Sequence, residues 1–113
     1  MAENFTRVAS ISEVPPGQMI PVIADGAELL LANVGGRLFA LSNVCSHEWA
    51  YLSEGWLKEE SLEVECPLHE GRFDLQSGRP TKLPPDEPVP AYTVKVEGDD
   101  VLVAPLAVEE SGR

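Results

Sequence analysis

Every cysteine and every histidine of this chain sits in one of two short motifs. The chain has two Cys and two His. Cys45-Ser46-His47 reads C-x-H, Cys66-Pro67-Leu68-His69 reads C-x-x-H, and residues 48–65 separate them. Thiolate is a soft donor that suits iron in a sulfide cluster, and imidazole is a neutral, borderline donor that iron and zinc both accept. One such pair is easily an accident of composition. Two pairs that use the whole supply of both residue types point to a metal centre. On the residues alone, two centres compete. A Cys₂His₂ zinc site takes the same four donors, as does a [2Fe–2S] centre in which two His replace two Cys on one iron. Zinc-finger spacing usually puts both Cys before both His, unlike the alternating order here. A Cys45–Cys66 disulfide with idle histidines runs against the cytoplasmic location argued below.

The elements that must position these donors read as short strands and tight turns. Phe5–Ala9, Gln18–Ala24, Glu28–Val34 and Arg37–Leu41 are strand candidates, with Val14-Pro15-Pro16-Gly17 as a turn. Asp25-Gly26 and Gly35-Gly36 are dipeptides of two-residue hairpins, where both central positions need positive φ. They predict a three-stranded antiparallel meander. Leu62 and Val64 alternate with Glu63 and Glu65, predicting one apolar and one solvated face. Phe73 and Leu75 alternate with Asp74 and Gln76 before a Ser77-Gly78 turn. Tyr92, Val94 and Val96 alternate with Thr93, Lys95 and Glu97, and Gly98-Asp99-Asp100 turns the chain into Val101-Leu102-Val103. Residues 43–57, 66–72 and 84–90 do not read as strands, and Trp56 reads as a core residue. Ten Pro and nine Gly punctuate the chain too often for long helices. The expected fold class is all-β, built from two or three small packed antiparallel sheets.

The 113 residues suit a single domain, 1–113, with residues 106–113 expected to fray. No stretch is apolar enough to span a bilayer, and Met1-Ala2-Glu3-Asn4 starts no secretory signal, so the expected location is cytoplasmic. The formal charge is −11, from 19 acidic and 8 basic residues. That argues against nucleic acid or an anionic membrane as a partner and favours a partner with a basic face.

The motifs and their flanks resemble the Rieske family. C-x-H followed at this distance by C-x-x-H is its ligand signature, and Cys66-Pro67-Leu68-His69-Glu70-Gly71-Arg72-Phe73-Asp74 is similar to its second cluster loop. Leu52-Ser53-Glu54-Gly55 resembles the exit of the first loop. Ser77-Gly78-Arg79-Pro80 and the prolines from Pro84 resemble the turn and third loop, and Val94–Val101 the closing hairpin. The resemblance covers roughly residues 5–104.

It implies a Rieske-like fold with the cluster loops at one tip, a cluster-binding subdomain at about 43–83, and one [2Fe–2S] cluster per chain. Cys45 and Cys66 would bind one iron; His47 and His69 would bind the outer one. Pro67 and Gly71 would shape the second loop, with the proline segment against the cluster. The high-potential members carry two further cysteines in a disulfide, and this chain has none. Those members also place a Ser two residues, and a Tyr four residues, after the second His. Here Gly71 and Phe73 stand there and offer no hydroxyl to the cluster sulfurs. The expected potential is near the low end of the Rieske range of about −150 to +300 mV.

The resemblance is strongest to the ferredoxin components of aromatic-ring-hydroxylating dioxygenase systems. It implies a monomeric one-electron carrier, not itself an enzyme, between a flavin-dependent, NADH-oxidising reductase and a terminal oxygenase. The iron–sulfide core adds two positive charges and the thiolates two negative ones, so the oxidised protein stays strongly acidic. Docking is expected to be transient and electrostatic, over less than roughly 1,200 Å². Two other readings stay open: a permanently bound small subunit of a reductase such as nitrite reductase, and a structural zinc module. Trp49 is either docking surface or loop packing. Glu48 and Glu70 are either an acidic rim that selects partners or plain surface charge.

Overall fold

In the computed structural model, residues 5–45, 50–68, 70–83 and 87–105 are described. The expectations placed on Ser46–Trp49, His69, Pro84, Pro85 and the 106–113 tail lie outside them. Among the described residues, ten strands run β1 (Thr6–Ser10), β2 (Met19–Ala24), β3 (Ala27–Val34), β4 (Arg37–Ser42), β5 (Trp56–Lys58), β6 (Glu63–Glu65), β7 (Arg72–Asp74), β8 (Pro80–Lys82), β9 (Ala91–Glu97) and β10 (Asp100–Pro105). Two short 3₁₀ turns, Ile11–Glu13 and Leu52–Glu54, interrupt them. The protein is all-β, with every pairing antiparallel.

The predicted meander is β2-β3-β4. Its two turns carry Asp25 at φ 51° with Gly26 at 85°, and Gly35 at 62° with Gly36 at 100°. These left-handed pairs match the twist of the flanking strands. The meander extends into a six-stranded sheet ordered β1-β10-β9-β4-β3-β2. This sheet curls until its two edge strands meet, where the Thr6 hydroxyl donates to Asp25 Oδ2 at 3.0 Å.

Curling explains the run of Leu29-Leu30-Leu31-Ala32, all fully buried. Leu29 and Leu31 point into the curled sheet with Val22, Ala40, Val101 and Val103. Leu30 and Ala32 point the other way, into a second cluster with Phe39, Leu41, Val64 and Phe73. A strand covered on both faces has no solvated side to encode, so its sequence loses alternation. Asn33, 3% exposed, is the polar exception: it donates to the Val14 carbonyl and accepts from the Gly36 amide, both at 2.8 Å.

The second sheet is β5-β6-β7-β8. Its inner face, Leu57, Val64 and Phe73, packs on the second cluster. Its outer face carries Trp56, Lys58, Glu63, Glu65, Arg72 and Asp74, which alternate with those residues along paired strands. Four expectations are corrected here. Residues 43–57 contain the start of β5, and Pro80–Lys82 forms an edge strand where none was expected. Trp56 is 52% exposed rather than core, because the pleat that turns Leu57 inward turns Trp56 outward. The face of Glu63 and Glu65 is not simply solvated; Glu65 is 9% exposed and ion-paired.

Candidate metal centre

Both cysteine motifs stand at the mouths of hairpin-like loops closed in the same way. After β4, an isolated bridge joins Val44 to Tyr51, and the Cys45 amide donates to the Ala50 carbonyl at 3.0 Å. After β6, the Cys66 amide donates to the Gly71 carbonyl at 2.7 Å, and Glu65 pairs with Arg72 in the register. In each case the cysteine's N–H reaches the carbonyl five residues on. His47 falls in sequence within the first loop and His69 within the second, but both lie outside the described residues.

The base of the first loop is held by Asn43, which is 3% exposed. Its amide Nδ2 donates to Ser53 Oγ at 3.0 Å, and its Oδ1 accepts from the Ser53 N–H at 2.8 Å. Its own carbonyl accepts from the Leu52 amide at 2.7 Å. The chain then leaves through Gly55. Gly55 backs onto the second loop: an added Cβ would overlap the Glu65 carbonyl oxygen and would lie 3.1 Å from Pro67 Cδ. The two loops are therefore packed base to base, with no room for a side chain at that point.

Cys45 and Cys66 are 5% and 2% exposed and belong to the same buried cluster as Leu52, Val64, Phe73 and Val89. This suits a metal–sulfide group. Two soft sulfur donors on adjoining loops open from a dry apolar shell, which limits solvent access and sets the local dielectric. Gly71 is buried and Phe73 fully so, and neither carries a hydroxyl. Leu68, in contrast, is 53% exposed within the second loop. Glu70 adopts φ 62°, points to solvent and lies 4.0 Å from Lys82 Nζ.

Behind the second loop, Arg72 Nε meets Glu65 Oε1 at 2.9 Å and a terminal nitrogen meets Glu63 Oε1 at 3.4 Å. Lys58 Nζ stands 3.9 Å from the same Glu65 oxygen. Burial works against the Glu63 carboxylate, but hydrogen bonds from Thr81, Ser61 and Arg72 outweigh it and hold the group below the ordinary carboxylate value. The bond to Glu65 raises Arg72 further above its already high value.

Asn43, Gly55 and Arg72 were not singled out as supports of the site by the sequence. Asn43 opens the irregular stretch 43–57 and Gly55 lies near its close. Arg72 becomes visible once the hairpin register around Cys66 is known.

Two equal loops, each opened by a buried cysteine and braced at the junction of a four-stranded and a six-stranded sheet, define a small all-β metalloprotein. The chain belongs to the Rieske [2Fe-2S] domain family, which matches residues 4–93. It is 42% identical to the biphenyl dioxygenase ferredoxin subunit of Pseudomonas sp. (strain KKS102), over 88% of this chain and 91% of that protein. It is also similar to the ferredoxin of carbazole 1,9a-dioxygenase from Nocardioides aromaticivorans IC177. That structure superposes with a TM-score of 0.86 at 48% identity, over 89% of this chain and 97% of that one. A structure of a complex of reduced oxygenase and oxidized ferredoxin in carbazole 1,9a-dioxygenase matches at 33% identity and TM-score 0.81, over 91% of this chain and 94% of that one. Family membership assigns one [2Fe–2S] cluster and sets aside the zinc module. Among the described residues, no helix is long and apolar enough to cross a membrane.

Proposed function

We propose that this protein is a one-electron carrier, a Rieske-type ferredoxin that takes electrons from an NADH-oxidising flavin reductase and delivers them to a terminal aromatic-ring-hydroxylating oxygenase. The observation that carries the reading is the pair of matched loops, which set Cys45 and Cys66 into one buried cluster. The ligands are Cys45 and Cys66 on one iron and His47 and His69 on the other. When bound, such a cluster accepts and returns a single electron.

The chain's own residues supply the rest. Asn43 and Ser53 hold the first loop, and the Cys66–Gly71 closure holds the second. The apolar residues below the cysteines keep water from the sulfur side. The whole chain, 1–113, serves as one domain, and residues 43–83 contain both loops and the four-stranded sheet. The relatives support this scale, since the match spans nearly their full length.

The oxygenase partner is supported by the relatives' membership of dioxygenase systems and by the complex that one of them forms. The acidic surface, at a formal charge of −11, favours brief docking to basic partner faces and suits a soluble monomer. The test is reconstitution. Purified holoprotein added to NADH, a flavin reductase and an aromatic-ring oxygenase should restore substrate-dependent NADH oxidation and hydroxylated product. A protein that carries its cluster and is reduced by dithionite, yet supports no turnover with any such oxygenase, contradicts the proposed role.

A further inference from the structure

The two cluster loops share the same backbone closure but are braced below it by different side-chain chemistry. Below the first loop the cross-brace is neutral, Asn43 with Ser53. Below the second it is ionic: Arg72 bridges Glu65 and Glu63, and Lys58 stands at the edge. Glu65 immediately precedes Cys66, and Arg72 immediately follows Gly71, whose carbonyl receives the Cys66 amide. The pair therefore occupies the last register position before the strands part into the loop.

Burying a charged pair costs desolvation, and a neutral brace closes a hairpin at lower cost. The first loop shows that this protein can build a neutral brace. Glu65 is nonetheless charged and 9% exposed, one residue from a cysteine. With the Glu65 side chain only 11% exposed and that of Arg72 31%, these charges act on their neighbours with less screening than fully exposed ones would. A negative charge near the cysteine disfavours an added electron, and a positive one favours it.

Resting on the ligand assignment above, we propose that Arg72 is a positioning residue for the second cluster loop, and that its ion pairs with Glu65 and Glu63 balance the charge beside Cys66 and so set the midpoint potential. The guanidinium locks the hairpin geometrically through its planar fork, and electrically, together with Lys58, it offsets the two carboxylates. Geometry and charge are thus separable by substitution.

The experiment is a redox titration of purified holoprotein variants, with the electron paramagnetic resonance spectrum of each. Glu65→Gln should raise the potential and Arg72→Gln should lower it. Each shift should correspond to about threefold in the electron-binding equilibrium, or about 30 mV at about 59 mV per tenfold for one electron. Arg72→Lys keeps the charge but loses the fork; it should hold the parent potential while losing its visible absorption faster. If Arg72→Gln does not retain its cluster, Lys58→Gln carries the same downward test against Glu65→Gln. Shifts of the same sign in the charge-removing pair, or no shift in either, overturn the proposal while the spectrum remains that of a mixed-ligand cluster. A parent spectrum without imidazole ligation would instead remove the ligand assignment itself.

Discussion

The α-carbon of Gly55 lies so close to the carbonyl oxygen of Glu65 that no side chain fits between them. This contact is where the exit of the first cluster loop rests on the base of the second. Overpacking at such a point forces backbone to move, because the obstacle is a carbonyl and not a flexible side chain. Gly55→Ala should cost at least about 2 kcal/mol in urea unfolding and should speed loss of visible absorption on standing. A variant as stable as the parent would show that the loops need not touch.

Asn43 closes the first loop with two side-chain bonds to Ser53 while almost fully buried. Asn43→Ala leaves the partly buried Ser53 N–H and hydroxyl without these partners, a loss of about 1 kcal/mol. Asn43→Asp keeps the acceptor for the Ser53 N–H and should retain more of the cluster than Asn43→Ala. Equal damage from both would mean that volume, not hydrogen bonding, matters there.

Glu63 gives a pH signature. Its carboxyl is held below the ordinary value in the folded state. A group lowered in this way stabilises the fold above its unfolded pKa of about 4.3, and that contribution fades as pH falls through the folded value. Glu63→Gln should therefore be less stable than the parent at pH 7, with the gap closing in increasingly acidic buffer. Denaturation midpoints of both proteins across that interval check it.

The charge of −11 makes a kinetic prediction. Electron-transfer rates to a basic partner should fall steadily as ionic strength rises, since the screening length shrinks to about 8 Å at 0.15 M. Stopped-flow rates indifferent to salt would place recognition in apolar contacts, such as those offered by the exposed Leu68.

The sequence disclosed what local chemistry dictates. The paired turns at Asp25-Gly26 and Gly35-Gly36 fixed the meander because positive φ at both positions restricts the residue types. The β9–β10 hairpin was legible from alternation around Gly98. Strands β5 and β8 were not, because three residues are too few for a period to show. Trp56 misled for a related reason: size suggests burial, but the face a residue takes depends on register. Glu65 looked like surface charge because its partner, Arg72, lies across a hairpin whose register only the structure fixes. The two cysteines were legible as a site through scarcity and spacing. Their bracing by Asn43 and Gly55 was not, since a hydrogen-bond cross-brace and a close backbone contact leave no periodic trace.

The central claim is that two thiolates and two imidazoles share one [2Fe–2S] cluster, and the electron paramagnetic resonance spectrum of the dithionite-reduced protein tests it most directly. Ligation by Cys45, Cys66, His47 and His69 predicts a rhombic signal whose average g lies below that of an all-cysteine cluster, and its loss in Cys45→Ser. An average g typical of four thiolate ligands, or a colourless protein holding one zinc ion per chain, would contradict it.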